Sequence, residues 1–417
     1  MALPKRAFIA GGSITNFIGK GHPDFIWKRH PDFGTKENPT WEQFLQQAVD
    51  ELLEQTGVNP ADVDRLYLGN FTGELFVNQG HMGAGLVGTH PAFENKPSMR
   101  VEGACASGGL AIMSGIDAIA AGADIVLVAG VEVQTTVSAR DGGDFLARAS
   151  HYSRQRSIDD FTFPALFGRR AKAYCEAFGV TAEDIDTVSI KAYNNANKNP
   201  KAHMKAAKMN AETAASSFKF LSNEEYKPFV KVSDCSQVSD GASAMLLVSE
   251  AGLAKLGKST SEVAEIVGRG HSVASLYVDG DLTKLTTSAD AVSKAYGDAG
   301  VTASDIGVAE VHDCFAVTEC MMYEAAGFAS TGEGAKLAAS GATGINGKIP
   351  VNTGGGLIGF GHPVGATGVK QAVEIFRQMK GECEGYQIPN KPKYGLTINM
   401  GGDDKTVVSL VIANGAM

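Results

Sequence analysis

Short apolar runs bounded by glycine, alternating with segments of helical spacing, constrain the fold of this chain more than any other feature. In the first half these runs are RAFIAGG, RLYLGN, SMRVEG and DIVLVAGVE, and in the second half AEIVGRG, GVAEVHD, YGLTINMGG and TVVSLVIA. Runs of this length are typical of strands buried on both faces. Helical periodicity separates them, as in WEQFLQQAVDELLEQTG and GVKQAVEIFRQMKG. We therefore expect an α/β fold.

The two halves of the chain share one plan, in which a glycine-rich loop precedes a helix and a strand follows. In the first half GACASGG precedes an apolar helix over residues 110–121, and in the second half GFGHPVGATG precedes a helix that leads to YGLTINMGG. This weak repeat predicts two similar α/β halves that face each other. We expect the first half to comprise residues 1–132 and 232–258, and the second half residues 259–417.

Residues 133–231 differ from both halves, and we expect them to form an inserted loop domain. They show no clear strand periodicity. Residues 140–231 hold 15 lysine and arginine residues against 11 aspartate and glutamate residues, although the whole chain has a net charge of −9. The surplus is consistent either with a solvated helical surface or with a site for an anionic ligand.

Charge and cysteine usage exclude several classes of protein. The net charge of −9 argues against a dedicated nucleic-acid binder or a basic membrane-surface protein. Residues 75–93 and 349–369 carry no charge, but their glycine and histidine residues are incompatible with an apolar membrane helix. The apolar run at the N-terminus is too short for a signal peptide, and the scattered cysteines suggest reduced thiols. We therefore expect a soluble, cytoplasmic protein that binds neither membranes nor nucleic acid.

Cys105 has the sequence context of a nucleophile. In VEGACASGGLAIMSGIDAIAAGAD a strand ends, the chain turns at Gly103, and an apolar helix begins just after the cysteine. The positive end of that helix is expected to lower the pKa of the thiol and favour the thiolate. A free cysteine is most often an inert buried residue, but this strand–turn–helix context favours a catalytic one.

Three further residues in similar contexts can exchange protons. His362 lies in GGGLIGFGHPVGATG, a glycine-dense turn before a helix, where an imidazole can accept a proton or bind an oxyanion. His312 and Cys314 lie close together in AEVHDCFAVTEC, again at a strand end before a helix, whereas Cys320 falls within that helix and is assigned to packing. The spacing of these residues fits none of the usual zinc patterns, so no metal is expected.

Four motifs, in this order, resemble those of the thiolase superfamily: GACASGG, HDCF, GGGLIGFGHPVGATG and the C-terminal NMGG. The HDCF sequence is similar to that of the sterol-carrier-protein (SCP-x) branch, and the resemblance covers essentially the whole chain. It implies a five-layer α-β-α-β-α fold with a loop domain inserted in the first half, assembled as a homodimer or homotetramer. It also implies cleavage of a 3-oxoacyl-CoA by CoA, or condensation of two acyl-CoA molecules, with no cofactor beyond these substrates.

The resemblance implies a role for each candidate residue. By position, Cys105 is the acyl-accepting nucleophile, His362 the base that activates it, and His312 a residue that helps to hold an oxyanion. The backbone N–H groups of Cys105 and Gly401 would form an oxyanion hole. Ser236, in DCSQVSDGA, falls on a loop that lines the pantetheine channel in this family.

One position departs from the pattern of typical thiolases. Their second catalytic cysteine, in a C-terminal CxG motif, is replaced here by Asn399, which cannot exchange a proton near neutral pH. Cys314 is the natural replacement in the SCP-x branch. Residues two apart on an extended strand point to the same side, so His312 and Cys314 are expected to face one pocket if the strand extends that far.

The phosphate groups of CoA require a region of positive charge, and residues 140–231 are the one evident in the sequence. Arg169, Arg170 and Lys172 are our candidate ligands within it. The sequence does not rank the three.

Two alternative functions remain open at this stage. A 3-oxoacyl synthase-type condensing enzyme would use the same Cys105, His312 and His362. A non-catalytic acyl-CoA or lipid-binding protein would need only the scaffold. The presence of Cys314 and the sequence GHPVGATG favours the thiolase.

Overall fold

The computed structural model describes residues 5–415, and this part of the chain contains nine strands and fifteen α-helices. The strands are β1 (Phe8–Ile14), β2 (Arg65–Gly69), β3 (Ser98–Val101), β4 (Ile125–Glu132), β5 (Gly241–Val248), β6 (Ala264–Val273), β7 (Ile306–Glu310), β8 (Tyr394–Gly401) and β9 (Thr406–Asn414). The helices are α1 (Trp41–Thr56), α2 (Gly73–Phe76), α3 (Met82–Val87), α4 (Ser107–Ala120), α5 (Ala139–Leu146), α6 (Tyr152–Gln155), α7 (Thr162–Phe178), α8 (Ala182–Ala196), α9 (Ala211–Ala215), α10 (Glu250–Leu256), α11 (Thr286–Ala299), α12 (Ala316–Ala325), α13 (Gly334–Ala339), α14 (Gly356–Gly359) and α15 (Thr367–Lys380).

The strands form one mixed sheet that divides into two halves. Its order is β3-β2-β4-β5-β1-β6-β9-β8-β7. Strand β2 runs parallel to β3 and β4, and β7 runs parallel to β8, whereas the other neighbours are antiparallel. Within the sheet, the two halves meet where Phe8 and Ile9 of β1 pair with β6. Each half contains the four strands predicted for it, and the first half has a further strand, β5, that was not predicted from the sequence.

Two helices lie between the halves of the sheet. Helix α4 packs on β2 and β4 of the first half and on β8 and β9 of the second, and α15 contacts strands of both halves as well as α4. On the outer faces, α1 covers β1, β4 and β5, while α11 covers β6 and β9. The resulting order is helix, sheet, helix, sheet, helix. This confirms the predicted five-layer α-β-α-β-α fold.

Glycine residues bring the backbones of the two central helices into contact. A Cβ atom on Gly108 would lie 2.8 Å from the carbonyl oxygen of Gly365 and from the amide nitrogen of Gly368. A Cβ on Gly368 would lie 2.2 Å from the amide nitrogen of Gly109. Only glycine permits so close an approach. The glycine-rich loops of the repeat are thus explained by the meeting of α4 and α15.

The segment between β4 and β5 consists of helices and loops. Helices α5 to α9 lie in it, and no residue described between 133 and 240 belongs to one of the named strands. Its helix α8 begins at the predicted capping box, in which Thr181 and Asp184 bond each other's backbone N–H groups. Several of its basic side chains are paired with acids, among them Lys231 with Asp186. The proposed domain boundaries themselves stay a prediction.

None of the helices in residues 5–415 combines the length and apolar character needed to cross a membrane. The two uncharged stretches noted in the sequence are accounted for within the fold. Residues 75–93 contribute to α2 and α3, and residues 349–369 contribute α14 and the beginning of α15.

Candidate active site

Three of the candidate residues come together in the structure, namely Cys105, His312 and His362. One side-chain atom from each, the thiol sulfur and a ring nitrogen, lies within 4.8 Å of the other two. The imidazole rings are 5.1 Å apart between centroids and nearly perpendicular. Each residue precedes a helix, namely α4, α12 and α15 respectively. The tertiary fold therefore brings together three motifs that are far apart in the sequence.

The turn that carries Cys105 has an unusual backbone. Ala104 has a φ of +52°, in the left-handed region that L-residues other than glycine rarely adopt. Its N–H donates to Oε1 of Glu102 at 2.6 Å, and the Ala104 carbonyl accepts from the Ser107 hydroxyl. These bonds stabilise a sharp elbow between β3 and α4, as the sequence context predicted.

Apolar side chains surround the thiol of Cys105. Phe71, Ala104, Ala149 and Val364 form a small buried cluster against which Cys105 packs. Burial among them raises the pKa of the thiol to about 12, although the N–H of Gly402 bonds the sulfur and opposes this shift. The expectation of a lowered pKa was therefore wrong. Desolvation of the thiolate outweighs the effect of the nearby helix terminus.

His362 presents an unprotonated nitrogen. Its Nδ1 atom lies 2.6 Å from Oγ1 of Thr367, and that hydroxyl donates to the carbonyl oxygen of Pro363 at 3.0 Å. Since the hydroxyl has one proton, Nδ1 must be the donor to Thr367, which leaves a lone pair on Nε2. Nε2 is buried and has no partner among the described residues. Burial and the charge of Lys370 lower the pKa of His362 to about 3, so the ring is neutral.

Buried polar side chains hold the loop of His362 in place. The Nε2 atom of Gln134 donates to the His362 carbonyl at 2.8 Å. The Glu132 carboxylate accepts from the N–H groups of Gly365, Phe71 and Thr72 at 2.9–3.2 Å. Glu132 thus joins the loop after β2 to the loop that carries the candidate base.

His312 is buried and contacts an amide side chain. Burial and the neighbouring His362 lower its pKa well below the ordinary value. The Nδ2 atom of Asn399 lies 3.5 Å from Nδ1 of His312 and donates to the carbonyl of Cys105 at 2.9 Å. Asn399 therefore lies inside the cluster, at the position where typical thiolases were said to carry a cysteine.

Cys314 lies near Cys105, but not for the reason given from the sequence. Strand β7 ends at Glu310, so His312 and Cys314 belong to the following loop, and the condition for the strand-alternation argument is not met. The Cys314 thiol is buried, 3.8 Å from Oγ1 of Thr318. Burial first, and then the charge of Cys105, raise its pKa well above the ordinary value. Cys314 is thus a protonated thiol close to the nucleophile, and its role stays a prediction.

The backbone around Gly401 also contacts the nucleophile loop. Gly401 ends β8, and a Cβ on it would overlap the carbonyl oxygen of Gly103 and lie 3.0 Å from the amide nitrogen of Ala106. The N–H that bonds the Cys105 sulfur is that of the next residue, Gly402. The oxyanion hole assigned to Cys105 and Gly401 stays a prediction.

The three basic residues proposed to bind the CoA phosphates differ in how accessible their side chains are. Arg170 is buried, forms an ion pair with Asp403 through Nε, and donates to two carbonyl groups through Nη1, so most of its guanidinium is already engaged. Arg169 is partly exposed, with its Nη2 atom 3.6 Å from carboxylate oxygens of Asp279 and Asp403. Lys172 lies on the surface and pairs with a glutamate. These observations favour Arg169 and Lys172 over Arg170.

Ser236 lies beside the active-site loop. Its N–H donates to the carbonyl oxygen of Cys314 at 2.9 Å, and the residue is half-buried. The loop that the resemblance assigned to the pantetheine channel thus contacts the segment carrying the candidate proton carrier.

Sequence reasoning missed several residues that shape the site. They are Thr367, Glu132 and Gln134. Thr367 had no evident signal, since a threonine five residues after a histidine is common. A carboxylate or amide at the end of a buried strand must find backbone donors or acceptors. That requirement is a usable sequence signal for Glu132 and Gln134.

The thiol and imidazoles are also residue types that bind zinc. Within residues 5–415, Cys105, His312 and His362 form a group of possible metal ligands. In a tetrahedral zinc site the metal–ligand distances of roughly 2.0–2.3 Å place ligand atoms less than about 4 Å apart. Here the candidate ligand atoms lie up to 4.8 Å apart, farther than in such a site, and Nδ1 of His362 is hydrogen-bonded to Thr367. The cluster therefore fits proton transfer better than metal binding.

Comparison with known proteins agrees with this fold. Residues 32–251 match the family described as "Thiolase, N-terminal domain", and residues 268–414 match "Thiolase C-terminal domain-like". An acetyl-CoA acetyltransferase of Methanothermobacter thermautotrophicus is 36% identical over 360 residues, which cover 85% of this chain and 89% of that protein. Human sterol carrier protein 2 is 33% identical over 252 residues, 59% of this chain and 44% of that protein.

A solved structure has the same fold over the full length. The crystal structure of human mitochondrial 3-ketoacyl-CoA thiolase in complex with CoA superposes with a TM-score of 0.72 at 17% identity, covering 100% of both chains. Together with the family matches, this defines a thiolase-fold enzyme. The chain belongs to the thiolase superfamily, and the protein is an acyltransferase.

Proposed function

We propose that the protein is an acyl-CoA C-acyltransferase that cleaves a 3-oxoacyl-CoA with CoA, or condenses two acyl-CoA molecules, through an acyl group on Cys105. The observation that carries the proposal is the unpartnered Nε2 atom of His362 beside a protonated thiol in an apolar pocket. A neutral imidazole with a free lone pair can accept the thiol proton as the sulfur attacks.

In the cleavage direction, the sulfur of Cys105 forms a bond to C3 of the 3-oxoacyl group while its proton passes to His362. The bond between C2 and C3 then breaks. Its electron pair stays on the departing acetyl-CoA as an enolate, which takes up a proton at C2. Before the second half-reaction, the proton on His362 passes to the group that protonated the enolate, so Nε2 is again unprotonated. His362 then deprotonates the thiol of CoA, which attacks the thioester and releases the shortened acyl-CoA. The proton returns to Cys105.

Cys314 is proposed to supply the proton to the enolate carbon. Its raised pKa favours the thiol form, which can donate a proton to a strongly basic carbanion-like centre. In the condensation direction the same residue must first lose its proton, which burial makes costly.

The oxygen atoms that gain negative charge are proposed to meet N–H donors. The backbone N–H groups of Cys105 and Gly401 are assigned to the acyl oxygen, and His312 with His362 to the enolate oxygen. Fixed donors in a desolvated pocket stabilise such charge more strongly than water does.

CoA and acyl-CoA are the proposed substrates, with no further cofactor. We assign the loop of Ser236 to the pantetheine arm, and Arg169 or Lys172 to the phosphates. A homodimer or homotetramer, a cytoplasmic location and a role in fatty-acid β-oxidation belong to the same proposal.

The test is a pair of measurements on the purified protein. Incubation with acetoacetyl-CoA should give an acetyl adduct on Cys105 by mass spectrometry, and adding CoA should give acetyl-CoA. Cys105→Ala should lose both. A condensing enzyme of the 3-oxoacyl synthase type would instead decarboxylate a malonyl thioester, and a non-catalytic acyl-CoA-binding protein would form no adduct.

A further inference from the structure

We propose that Asn399 is a positioning residue that fixes the tautomer of His312, so that the single imidazole proton lies on Nε2. Asn399 was singled out in the sequence because it stands where typical thiolases carry a cysteine. The catalytic role of that proton rests on the proposed function, whereas the tautomer itself follows from contacts in the structure.

The side-chain amide of Asn399 can be oriented in only one way. Its Oδ1 atom accepts from the backbone N–H of Gly109 at 3.0 Å, and its Nδ2 atom donates to the backbone carbonyl of Cys105 at 2.9 Å. A backbone N–H is always a donor and a carbonyl always an acceptor. A flipped amide would place two donors together at Gly109 and two acceptors together at Cys105. The oxygen and the nitrogen of the amide are therefore assigned by their partners.

This orientation directs an amide N–H group toward His312. Nδ2 of Asn399 lies 3.5 Å from Nδ1 of His312. The bond is long and weak, but a proton on Nδ1 would face a second donor at that distance. His312 is buried beside His362 and is neutral, so it has one ring proton. Nδ1 must then carry the lone pair, and Nε2 the proton.

The two histidines consequently offer opposite capabilities. Thr367 accepts from Nδ1 of His362 and leaves a lone pair on Nε2, whereas Asn399 donates toward Nδ1 of His312 and leaves a proton on Nε2. One ring accepts the proton of Cys105 and the other donates to a developing oxyanion. The Thr367 hydroxyl and the Asn399 amide thus select different tautomers, and hence different roles, for the two histidines.

Asparagine suits this position for a further reason. Oδ1 holds helix α4 through Gly109, while Nδ2 holds the elbow through Cys105, so one side chain ties strand β8 to both parts of the nucleophile segment. A thiol has one proton and cannot make these contacts together. The change from cysteine to asparagine thus exchanges a proton carrier for a positioning group.

The direct test is nuclear magnetic resonance of the full chain labelled with ¹⁵N-histidine. The chain has nine histidines, and the signals of His312 are assigned by their loss in His312→Gln. In the wild type, Nδ1 of His312 should have the chemical shift of an unprotonated nitrogen and Nε2 that of a protonated one. Asn399→Asp is nearly isosteric and presents an acceptor to Nδ1, so the proton should move to Nδ1.

The matched control is Asn414→Asp, at the far end of the neighbouring strand β9, where the amide contacts Lys380 and the carbonyl of Met379. It should leave the His312 signals unchanged. A protonated Nδ1 in the wild type, or no change in a folded Asn399→Asp variant, would overturn the proposal.

A kinetic readout separates positioning from folding. Loss of one oxyanion donor costs about 10²–10³-fold in kcat, and we expect Asn399→Asp to lose this much while KM for the 3-oxoacyl-CoA changes little. Unchanged kcat in a variant whose tautomer has moved would refute the catalytic purpose of the proton. If the wild type lacks acyltransfer altogether, the proposed function fails, yet the ¹⁵N shifts still decide whether Asn399 sets the tautomer.

Discussion

At the scale of single residues, the chemistry of the site depends on burial more than on sequence position. The thiol of Cys105 and the ring of His362 are both neutral in the unliganded protein, because a thiolate–imidazolium pair would have to form in an apolar environment. In the proposed mechanism, Cys105 is therefore activated when its proton is transferred during attack. No preformed ion pair is required.

This neutral pair predicts the pH dependence of alkylation. With a thiol pKa of about 12, the thiolate fraction of Cys105 grows about tenfold per pH unit. The rate constant with iodoacetamide should therefore keep rising between about pH 7 and about pH 10. Labelling must be followed by peptide mass spectrometry, because Cys175 has a pKa of about 11 and will also react. A plateau already at neutral pH would instead indicate a stable thiolate.

Cys314 gives a second prediction at this scale. Removal of a general acid or base costs about 10²–10⁴-fold in rate, so Cys314→Ala should lose most turnover and most exchange of the α-protons of acetyl-CoA. Acylation of Cys105 by a simple acyl-CoA should persist, because that step does not use Cys314. Cys175→Ala, at a half-buried cysteine outside the cluster, is the control. Normal exchange in a folded Cys314→Ala variant would assign the residue to packing.

At the scale of elements, the site depends on contacts between loop ends. The end of β4, the loop after β2 and the loop before α15 are joined by one buried carboxylate, Glu132. The same carboxylate therefore holds the loop of His362, the proposed base, and that of Phe71, which lines the apolar pocket.

Replacement of that carboxylate by an amide tests the support. Glu132→Gln turns an NH₂ group toward backbone donors, and each buried donor left unsatisfied costs about 1–3 kcal/mol. We expect a lower free energy of unfolding in urea and a lower kcat, while Glu250→Gln on the surface changes neither.

The same variant should alter how stability depends on pH. Burial raises the pKa of Glu132 from 4.5 to about 7. Between these values the unfolded chain has released the proton that the folded chain still holds, so the contribution of Glu132 to stability falls as pH rises. That part of the pH dependence should be absent from Glu132→Gln. An identical profile for both proteins would show that Glu132 does not titrate in this range.

At the scale of the whole molecule, the two halves are held together through their central helices. Lys370 of α15 forms a fully buried ion pair with Glu310 of β7, with Nζ and Oε2 2.7 Å apart. The ammonium group also lies over the ring of Phe360. The pair thus ties the central layer to an outer strand of the second half.

Replacing one partner of this ion pair should lower the free energy of unfolding strongly, whereas replacing both partners should lower it much less. Lys370→Met leaves the Glu310 carboxylate buried without its partner, which costs about 3–5 kcal/mol. The double variant Lys370→Met with Glu310→Leu should recover much of that loss, as measured by urea denaturation. Equal stability of the single and double variants would mean that the carboxylate finds another partner.

Much of the element order was predictable from the sequence because local patterns determine it. Apolar runs between glycines became strands, the capping box at Thr181 began a helix, and the glycines beside Cys105 and His362 became the contact between α4 and α15. Each of these inferences uses residues that are neighbours in the chain. The layered fold followed from the repeat and from the resemblance of four motifs.

The sequence by itself thus determined eight of the nine described strands, the central helices and the turn at Cys105, since these depend on local periodicity and backbone freedom. Only the tertiary structure decided the electrostatics, because burial and long-range contacts set them. It raised the pKa of Cys105, which the helix terminus alone would have lowered. It buried Arg170 against Asp403 and placed the amide of Asn399 between Cys105 and His312. Such pairings join residues far apart in the chain, and no local pattern encodes them.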